Sequence, residues 1–390
     1  MNITFISNYF NHHQKNFSDC LNDEKDISFT FIATSKISDE RKKLGYDNSV
    51  IPDYVTELLS NQTNKRAQEA IEKADVIILG MAPEYLVRDH IKQGKLLFRY
   101  SERPFKNGIN KLKLLPRSIK WHICNPSRKP IYMLCASAYT VSDFLKMGMF
   151  KNKSYTWGYF PDFKKYSNIN DLIQKKDIQE ILWCGRFLDW KHPDDALKAA
   201  KMLKDSGYHF KMRFIGTGPL SDELMNFTYE NKLENCVEFS GSMSPEKVRE
   251  HMEYSGIFLI TSDFKEGWGA VLNESMNSGC AVIASHAVGS APCLVKNRCN
   301  GLIYESGNVN ALFEKIRYLI DNTDEQKRLG NAAYKTICDE WNAEIATKRL
   351  VKLINNILQG NKFPDLYAEG PCSKSLILNN DWYSENQSFS

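Results

Sequence analysis

Two glutamates separated by seven residues, Glu266 and Glu274, are the residues whose types and spacing most clearly suggest chemistry. They belong to the stretch 257–285, which opens and closes with apolar runs typical of buried parallel strands. Between these runs the pattern predicts a loop containing Gly267 and Gly269, followed by a short helix. A strand, a glycine-bearing loop and a helix N-terminus form an anion site, because unpaired N–H groups and the helix dipole converge there.

The distance between the two carboxylates decides which chemistry fits. If most of the interval is helical, they lie about 12 Å apart along it. Hydrolytic carboxylates that attack one bond stand closer together. The spacing instead suits two groups that hold opposite ends of an elongated ligand with phosphates between them. The alternative is an ordinary strand–loop–helix unit with two solvated glutamates, which an isolated pair would favour.

The order of residues from Glu266 to Gly279 resembles a known family signature. Glu-Gly-Trp-Gly, four residues, Glu-Ser-Met, two residues and Gly is similar to the E-x7-E motif of retaining family-4 glycosyltransferases, which have the GT-B fold and use nucleotide-sugar donors. The resemblance implies that Glu266 contacts the sugar and that Glu274 holds the ribose hydroxyls. It also implies that backbone amides of the intervening segment approach the sugar and phosphate: Gly267, Trp268, Gly269 and Ala270.

Gly185 and Arg186, with Lys191 five residues after the arginine, resemble the diphosphate clamp of the same family. A guanidinium and an ammonium can neutralise the charge that develops on a nucleoside diphosphate leaving group. The resemblance therefore implies that no metal ion is needed. Without the resemblance, the two cations would be surface charges after a strand.

A glycine loop and its neighbours are further donor-binding candidates by the same resemblance. Gly216 and Gly218 follow a predicted strand, but Ser221 holds the place of the third glycine in a dinucleotide fingerprint. In the family this loop lines the nucleotide, and the turn after the next strand borders the base, which makes Ser242 and Met243 candidate base neighbours. The missing glycine disfavours a Rossmann dehydrogenase, and the absence of G-x4-G-K-[ST] disfavours a P-loop enzyme.

The first half of the chain offers two candidate residues at the ends of predicted strands. His13 stands in a polar loop after the strand NITFIS, where donor or acceptor atoms could reach, although helix capping also explains this loop. Glu102 follows the strand 96–100, at a place where many members of the family have a histidine. Cys293 likewise stands where many of them have a glutamate. The candidate catalytic residues are Glu266, Arg186, Lys191, Glu102 and His13.

Length and composition suit a protein of two domains. The chain has 390 residues, of which 42% are hydrophobic. Its pattern predicts an α/β protein, and the resemblance implies the GT-B fold: two Rossmann-like doubly wound domains facing a central cleft, with a C-terminal helix crossing back to the first domain. The predicted parts are an acceptor-side domain at 1–162, a nucleotide-sugar domain at 163–340, and the crossing helix with a tail at 341–390. A polar linker is predicted over 161–177.

Charge and hydropathy bear on where the protein works. No leader segment or membrane span is predicted, and ten cysteines without a C-x-x-C pair indicate reduced thiols in a cytoplasm. The net charge of +4 indicates no nucleic-acid partner. Residues 103–129, however, carry eight cations, no acidic residue and interleaved apolar side chains. This segment is predicted either to contact an anionic membrane surface or to form a solvated basic face over a half-buried core.

Together, the residues and the resemblance predict a retaining glycosyltransferase that needs neither a metal nor a cofactor. It would transfer a hexosyl group from a nucleoside-diphosphate donor, UDP-sugar in first place and GDP-mannose in second, to a glycan or lipid-linked acceptor in cell-surface polysaccharide synthesis. The alternatives are a sugar-nucleotide epimerase on the same fold and a non-catalytic sugar-nucleotide-binding protein. The expected location is the cytoplasm, with peripheral attachment to the inner face of the cell membrane.

Overall fold

The computed structural model describes residues 1–37, 51–59 and 63–384, and these form two compact units. Unit 1 comprises Met1–Asp162 and Asn342–Leu378. Unit 2 comprises Phe163–Trp341 and the end of the chain from Asn379. No helix among the described residues is long and apolar enough to cross a membrane.

Unit 1 is built on a seven-stranded sheet in which all neighbouring strands run parallel. The strands are β1 (Asn2–Ser7), β2 (Ser28–Ala33), β3 (Val55–Glu57), β4 (Val76–Leu79), β5 (Leu96–Ser101), β6 (Ile131–Cys135) and β7 (Ser154–Thr156), in the order β3-β2-β1-β4-β5-β6-β7. The α-helices before Asp162 are α1 (His12–Asn22), α2 (Lys65–Lys73), α3 (Arg88–Lys92), α4 (Lys111–Cys124) and α5 (Thr140–Leu145). All four residues of β4, VIIL, are buried, as expected for a parallel strand covered on both faces. The order reverses between β1 and β4, so the loops after these strands lie at the switch point where such sheets bind ligands.

Unit 2 contains a six-stranded sheet that is also parallel throughout. Its strands are β8 (Asp177–Cys184), β9 (Lys211–Ile215), β10 (Val237–Phe239), β11 (Ser255–Ile260), β12 (Ala281–Ser285) and β13 (Leu302–Tyr304), in the order β10-β9-β8-β11-β12-β13. Its helices are α6 (Ile169–Lys175), α7 (Pro193–Asp205), α8 (Ser221–Glu230), α9 (Pro245–Tyr254), α10 (Ala270–Asn277), α11 (Ala291–Leu294), α12 (Val309–Asp321) and α13 (Thr323–Asp339). After β8 the chain forms β9 and β10 toward one edge of the sheet. It then returns to form β11 on the other side of β8. The loops after β8 and β11 therefore meet at the switch point of this sheet.

The chain returns to unit 1 after α13. Helix α14 (Ala343–Leu358) packs on α1, which lies in the same unit. Beyond it, Cys372 N–H donates to the carbonyl of Thr156 at 2.8 Å, and Thr156 N–H donates to the carbonyl of Ser373 at 2.8 Å. These bonds cover the free edge of β7, an edge that would otherwise invite pairing with another chain. The part of the predicted 341–390 tail beyond 384 lies outside the described residues.

The predicted linker over 161–177 is wrong from Phe163 onward. These residues belong to unit 2, and α6 occupies the middle of the stretch. The helix buries only Ile173, so its sequence is almost as polar as that of a linker. Strand β3 and helix α4 were also not expected from the sequence, because β3 has only three residues and α4 carries apolar residues on two faces.

Candidate active site

The loops after β8 and β11 bring Lys191 and Glu266 into direct contact. Lys191 Nζ donates to Glu266 Oε2 at 2.5 Å, and Ser262 Oγ donates to the same oxygen at 3.2 Å. The side chains of Lys191 and Glu266 are only 15% and 11% exposed. Because a largely desolvated cation and carboxylate interact strongly, this pair fixes the position of both charges. Two residues predicted for the phosphate and the sugar thus share one site.

Hydrogen bonds from β11 and the loop after it hold the segment that carries Lys191. Thr261 Oγ1 donates to the carbonyl of Lys191 at 2.7 Å, and Trp183 Nε1 donates to Thr261 Oγ1 at 2.9 Å. Asp263 N–H donates to the carbonyl of Trp190 at 2.9 Å. Sequence reasoning missed Trp183 and Thr261. The sequence gives little sign of their role, because a tryptophan inside a strand resembles an ordinary core residue.

Glu274 lies near the end of β8, together with Lys191. Burial raises the pKa of the Cys184 thiol to about 12, with the negative charge of Glu274 acting in the same direction and Lys191 opposing it. Both charges are therefore within electrostatic range of Cys184, the last residue of β8. The thiol stays protonated and is no nucleophile. Glu274 is the fifth residue of α10, so only part of the interval from Glu266 is helical.

The loop between the two glutamates presents backbone rather than side chains. Gly269 occupies the N-cap position of α10 with φ +84°, a conformation that favours glycine, and has no side chain to cap the helix. Trp268 points the other way: its side chain is buried, Nε1 donates to Asn273 Oδ1 at 2.8 Å, and its ring lies 5.6 Å from that of Trp341. The indole of Trp268 is therefore part of the core. Any ligand contact from Gly267–Ala270 must come largely from backbone amides near the positive end of α10.

Gly216 and Gly218 pack backbone against backbone on the loop that carries Arg186. A β-carbon at Gly216 would lie 1.9 Å from the carbonyl oxygen of Gly185, and one at Gly218 would lie 2.4 Å from the carbonyl oxygen of Phe187. Phe187 N–H donates to the carbonyl of Thr217 at 3.0 Å, which ties the two loops together. The glycines are thus required for close approach. Their contact with a nucleotide stays a prediction.

Arg186 and Ser242 both face solvent. Arg186 is exposed and forms no ion pair with any residue that the structure describes, so its charge is available to an anion. Ser242 is exposed too, and its hydroxyl lies 3.1 Å from that of Thr217. Met243 is half-buried beside it. The contact of Ser242 and Met243 with a nucleotide base stays a prediction.

His192, directly after Lys191, belongs to an acidic group. The carboxylates of Asp194 and Asp263 lie 3.8 and 3.7 Å from its two ring nitrogens and raise the pKa of His192 to about 10. Asp195 completes a set whose ligand atoms lie within 4.8 Å of one another with His192 and Asp194. Lys198 Nζ, however, is 2.6 Å from Asp194 and 3.4 Å from Asp195. A built-in cation therefore already balances these carboxylates.

The raised pKa of His192 predicts a pH-dependent contribution to stability. A raised pKa means that protonated His192 stabilises the fold; this contribution is fully present below about pH 6.5 and is lost as the pH rises through about 10. We expect the difference in free energy of unfolding between the wild type and His192→Asn to shrink over that range. Asparagine is the matched replacement because it tolerates the φ of +47° at this position. Urea unfolding at a series of pH values measures the difference, and a difference that does not change with pH would contradict the assignment.

In unit 1, Tyr159 joins the two candidates His13 and Glu102. Tyr159 OH donates to Glu102 Oε1 at 2.5 Å, and Lys106 Nζ donates to the other carboxylate oxygen. The ring of His13 is stacked on that of Tyr159 with 5.3 Å between centroids and 12° between planes. Burial, with a further contribution from His12, lowers the pKa of His13 to about 3 and keeps its ring neutral. The prediction that His13 lies in a loop is wrong, because Asn11 caps α1 and places His13 in its first turn. Tyr159 was not predicted, because nothing in the sequence signals that a tyrosine after β7 returns to the start of α1 and to the loop after β5.

Comparisons with known proteins bear on the family and the fold. Residues 164–336 match the family model described as glycosyl transferases group 1. An uncharacterized glycosyltransferase, MJ1178, from Methanocaldococcus jannaschii is 34% identical over 167 residues, which are 42% of this chain and 45% of that protein. The amylovoran biosynthesis glycosyltransferase AmsK from Erwinia amylovora is 26% identical over 45% of this chain and 44% of its own length. The chain thus spans about half the length of the curated relatives it matches.

Solved structures match over nearly the whole chain. The complex of Anabaena Alr3699/HepE with UDP has a TM-score of 0.69 at 16% identity, over 91% of this chain and 100% of that one. TarM from S. aureus, in a complex that includes UDP, has a TM-score of 0.64 at 11% identity, over 91% of this chain and 100% of that one. At such identities the likeness concerns the fold. It confirms the predicted class of two Rossmann-like α/β domains of GT-B type.

Proposed function

We propose that this chain, which carries a glycosyl transferases group 1 domain at 164–336 on a GT-B fold, is a retaining glycosyltransferase. It transfers a sugar from a UDP-sugar to a glycan or lipid-linked acceptor in the synthesis of a cell-surface polysaccharide, and it works at the inner face of the cell membrane. The names of several relatives, such as the amylovoran and colanic acid enzymes, support this class of product. Two solved structures of similar fold contain UDP, which supports the choice of UDP as the donor nucleotide.

The observation that carries the proposal is the contact between Lys191 and Glu266 at the switch point of unit 2, with Glu274 within electrostatic range of the end of β8. Lys191 and Glu266 lie in the loops after β8 and β11, and Glu274 stands in the middle of α10. A nucleotide sugar has a matching sequence of groups: sugar hydroxyls, a diphosphate and ribose hydroxyls. We assign the sugar to Glu266, the diphosphate to Lys191 and the exposed Arg186, and the ribose to Glu274.

The contacts of Glu266 favour one role for it. A carboxylate that already accepts from Lys191 and Ser262 is a weak nucleophile, because both donors stabilise its charge. It is well placed to accept hydrogen bonds from sugar hydroxyls, and these strengthen as positive charge develops on the sugar. Arg186 and Lys191 supply two positive charges to the departing diphosphate. We therefore propose that transfer requires no divalent metal.

The acceptor is proposed to meet the polar cluster of unit 1. The ring of neutral His13 stacks on that of Tyr159, and the carboxylate of Glu102, in the loop after β5, accepts from the Tyr159 hydroxyl. Such a group can orient an acceptor hydroxyl through hydrogen bonds. Because Lys106 and Tyr159 already donate to Glu102, this carboxylate is more suited to orienting than to proton abstraction.

Separate roles for the two glutamates predict separate kinetic effects. Glu266→Gln should lower kcat at least about tenfold, because it weakens an interaction that grows in the transition state. Glu274→Gln should instead raise the donor KM and the Kd for UDP by roughly tenfold or more, because the ribose hydroxyls do not change during transfer. Steady-state kinetics of UDP release and calorimetric titration with UDP measure the two effects.

Glu250→Gln is the matched control for both variants. Glu250 is exposed on α9, where its carboxylate pairs with Lys247, and its replacement should leave both constants unchanged. If UDP bound normally to the Glu274 variant but not to the Glu266 variant, the donor would bind in the reverse orientation, with its ribose at Glu266.

A further inference from the structure

Helix α4 turns a continuous apolar face toward solvent. Leu112, Leu115, Ile119 and Ile123 recur at intervals of three and four residues, which places them on one side of the helix. Their exposed fractions are 89%, 69%, 52% and 73%. Single exposed apolar side chains are common on protein surfaces, but four on one face form a patch that marks an interaction surface. We call these four residues the outer face of α4.

The opposite face of α4 fixes this orientation. Leu114 and Trp121 pack against the core of unit 1, and the ring of Trp121 lies 4.8 Å from that of Phe144. Ser118 Oγ donates to the carbonyl of Met147 at 3.0 Å. The helix is therefore anchored on one side and cannot rotate to bury its outer face without losing these contacts. The exposure is built into the fold.

Cations lie along one flank of the outer face. Lys113, Arg117 and Lys120 are exposed, and none of them forms an ion pair with a residue that the structure describes. At about 100° per residue, Lys113 and Lys120 stand beside the apolar stripe. Arg117 lies nearer the core side, and its guanidinium carbon lies 5.1 Å from the ring centroid of Phe105. The helix itself contains no acidic residue. An apolar centre with a cationic flank is the pattern of a helix that lies in the plane of a membrane interface.

The structure corrects which cations of segment 103–129 are available. Arg103 is buried and donates from Nε and Nη2 to the carboxylate of Asp143, at 3.1 Å each. Lys106 pairs with Glu102, and Lys129 Nζ donates to the carbonyl of Lys92 at 2.8 Å. These three cations are therefore engaged in contacts within unit 1. The free charge is concentrated on α4 itself.

We propose that the outer face of α4 docks unit 1 on an anionic lipid bilayer, with its apolar side chains among the acyl chains and the flanking cations Lys113 and Lys120 at lipid phosphates. Charge complementarity selects this occupant, because the patch has cations and no carboxylate to match a zwitterionic or cationic partner. The docking does not depend on the proposed enzymatic activity. If that activity also holds, docking brings unit 1 to the surface where a lipid-linked acceptor resides.

Co-sedimentation of the full chain with vesicles tests the proposal. We expect binding to vesicles of phosphatidylcholine with phosphatidylglycerol, little binding to phosphatidylcholine alone, and weaker binding at high salt. The double variant Leu115→Ser, Ile119→Ser should bind at least about tenfold more weakly, and Lys113→Gln, Lys120→Gln should lose most of the dependence on anionic lipid. Leu358→Ser is the matched control, since Leu358 is similarly exposed at the end of α14. It should bind as the wild type does.

The substituted side chains are exposed, so the melting temperature of each variant should match the wild type. Equal binding by the wild type and the Leu115, Ile119 double variant would overturn the proposal, as would equal binding to vesicles with and without anionic lipid. A wild type that is dimeric in solution and a double variant that is monomeric would assign the outer face to contact between copies of this chain instead.

Discussion

Lys191→Ala is expected to lower kcat/KM for the sugar donor by roughly 10²–10³-fold. The substitution removes a cation that the account places on the departing diphosphate. It also removes the donor at 2.5 Å from Glu266 and leaves that largely buried carboxylate with the weaker hydroxyl of Ser262. Loss of transition-state stabilisation and disorder of the sugar contact therefore act together. Initial rates of UDP release over a range of donor concentrations measure the effect.

Lys265→Ala is the matched control. Lys265 lies in the loop after β11, one residue before Glu266, and its amine pairs loosely with Asp189 at 3.6 Å and Asp263 at 3.9 Å. Such half-exposed pairs contribute little, so this variant should stay within a few-fold of the wild type. Thermal unfolding of both variants separates loss of catalysis from loss of fold. A Lys191 variant that is folded and has wild-type kinetics would remove this residue from the site.

Gly216→Ala is expected to destabilise unit 2 by at least about 3 kcal/mol and to abolish UDP binding. The added β-carbon would lie 1.9 Å from the carbonyl oxygen of Gly185, and backbone on both sides leaves no flexible side chain to move away. The φ of +135° at Gly216 adds strain for any residue with a β-carbon. Relief requires separating the loop after β9 from the loop that carries Arg186, which disrupts the proposed phosphate site. Urea unfolding and calorimetry with UDP measure the two losses.

Gly207→Ala is the control for the backbone strain alone. Gly207 also has a positive φ, +81°, but no atom would lie within 4 Å of an added β-carbon. The free energy of unfolding of the Gly207 variant should fall only by the cost of a left-handed conformation, about 1–2 kcal/mol, and the variant should still bind UDP. Similar losses of stability and UDP binding in the two variants would show that Gly216 is not needed for the close approach of the two loops.

The sequence was informative where a feature is local. Apolar runs such as VIIL of β4 predict buried strands because parallel strands are covered on both faces. Gly279 follows α10 with φ +71°, the left-handed conformation in which a glycine commonly ends a helix. The spacing of Glu266 and Glu274 likewise indicated that one glutamate precedes a helix N-terminus and the other follows it. Each of these inferences depends on residues within one or two turns of one another.

The sequence was uninformative where a contact joins distant residues. Lys191 and Glu266 are 75 residues apart, and only the return of the chain from β10 to β11 brings them together. Helix α4 shows a second limit, because apolar residues stand on both of its sides. Trp121 faces the core and Leu115 faces solvent, and hydrophobic periodicity alone does not tell a core stripe from an exposed one.

Product analysis of nucleotide-sugar turnover tests the central claim most directly. The full chain is incubated with a panel of UDP-sugars and GDP-mannose, with and without EDTA and a lipid-linked glycan acceptor, and free nucleotide, epimerised sugar and bound ligand are read separately. The account predicts release of UDP from a UDP-sugar, faster release when the acceptor is present, and no effect of EDTA. Epimerised sugar without free nucleotide, bound ligand without any product, or activity lost in EDTA and restored by a divalent ion would contradict it.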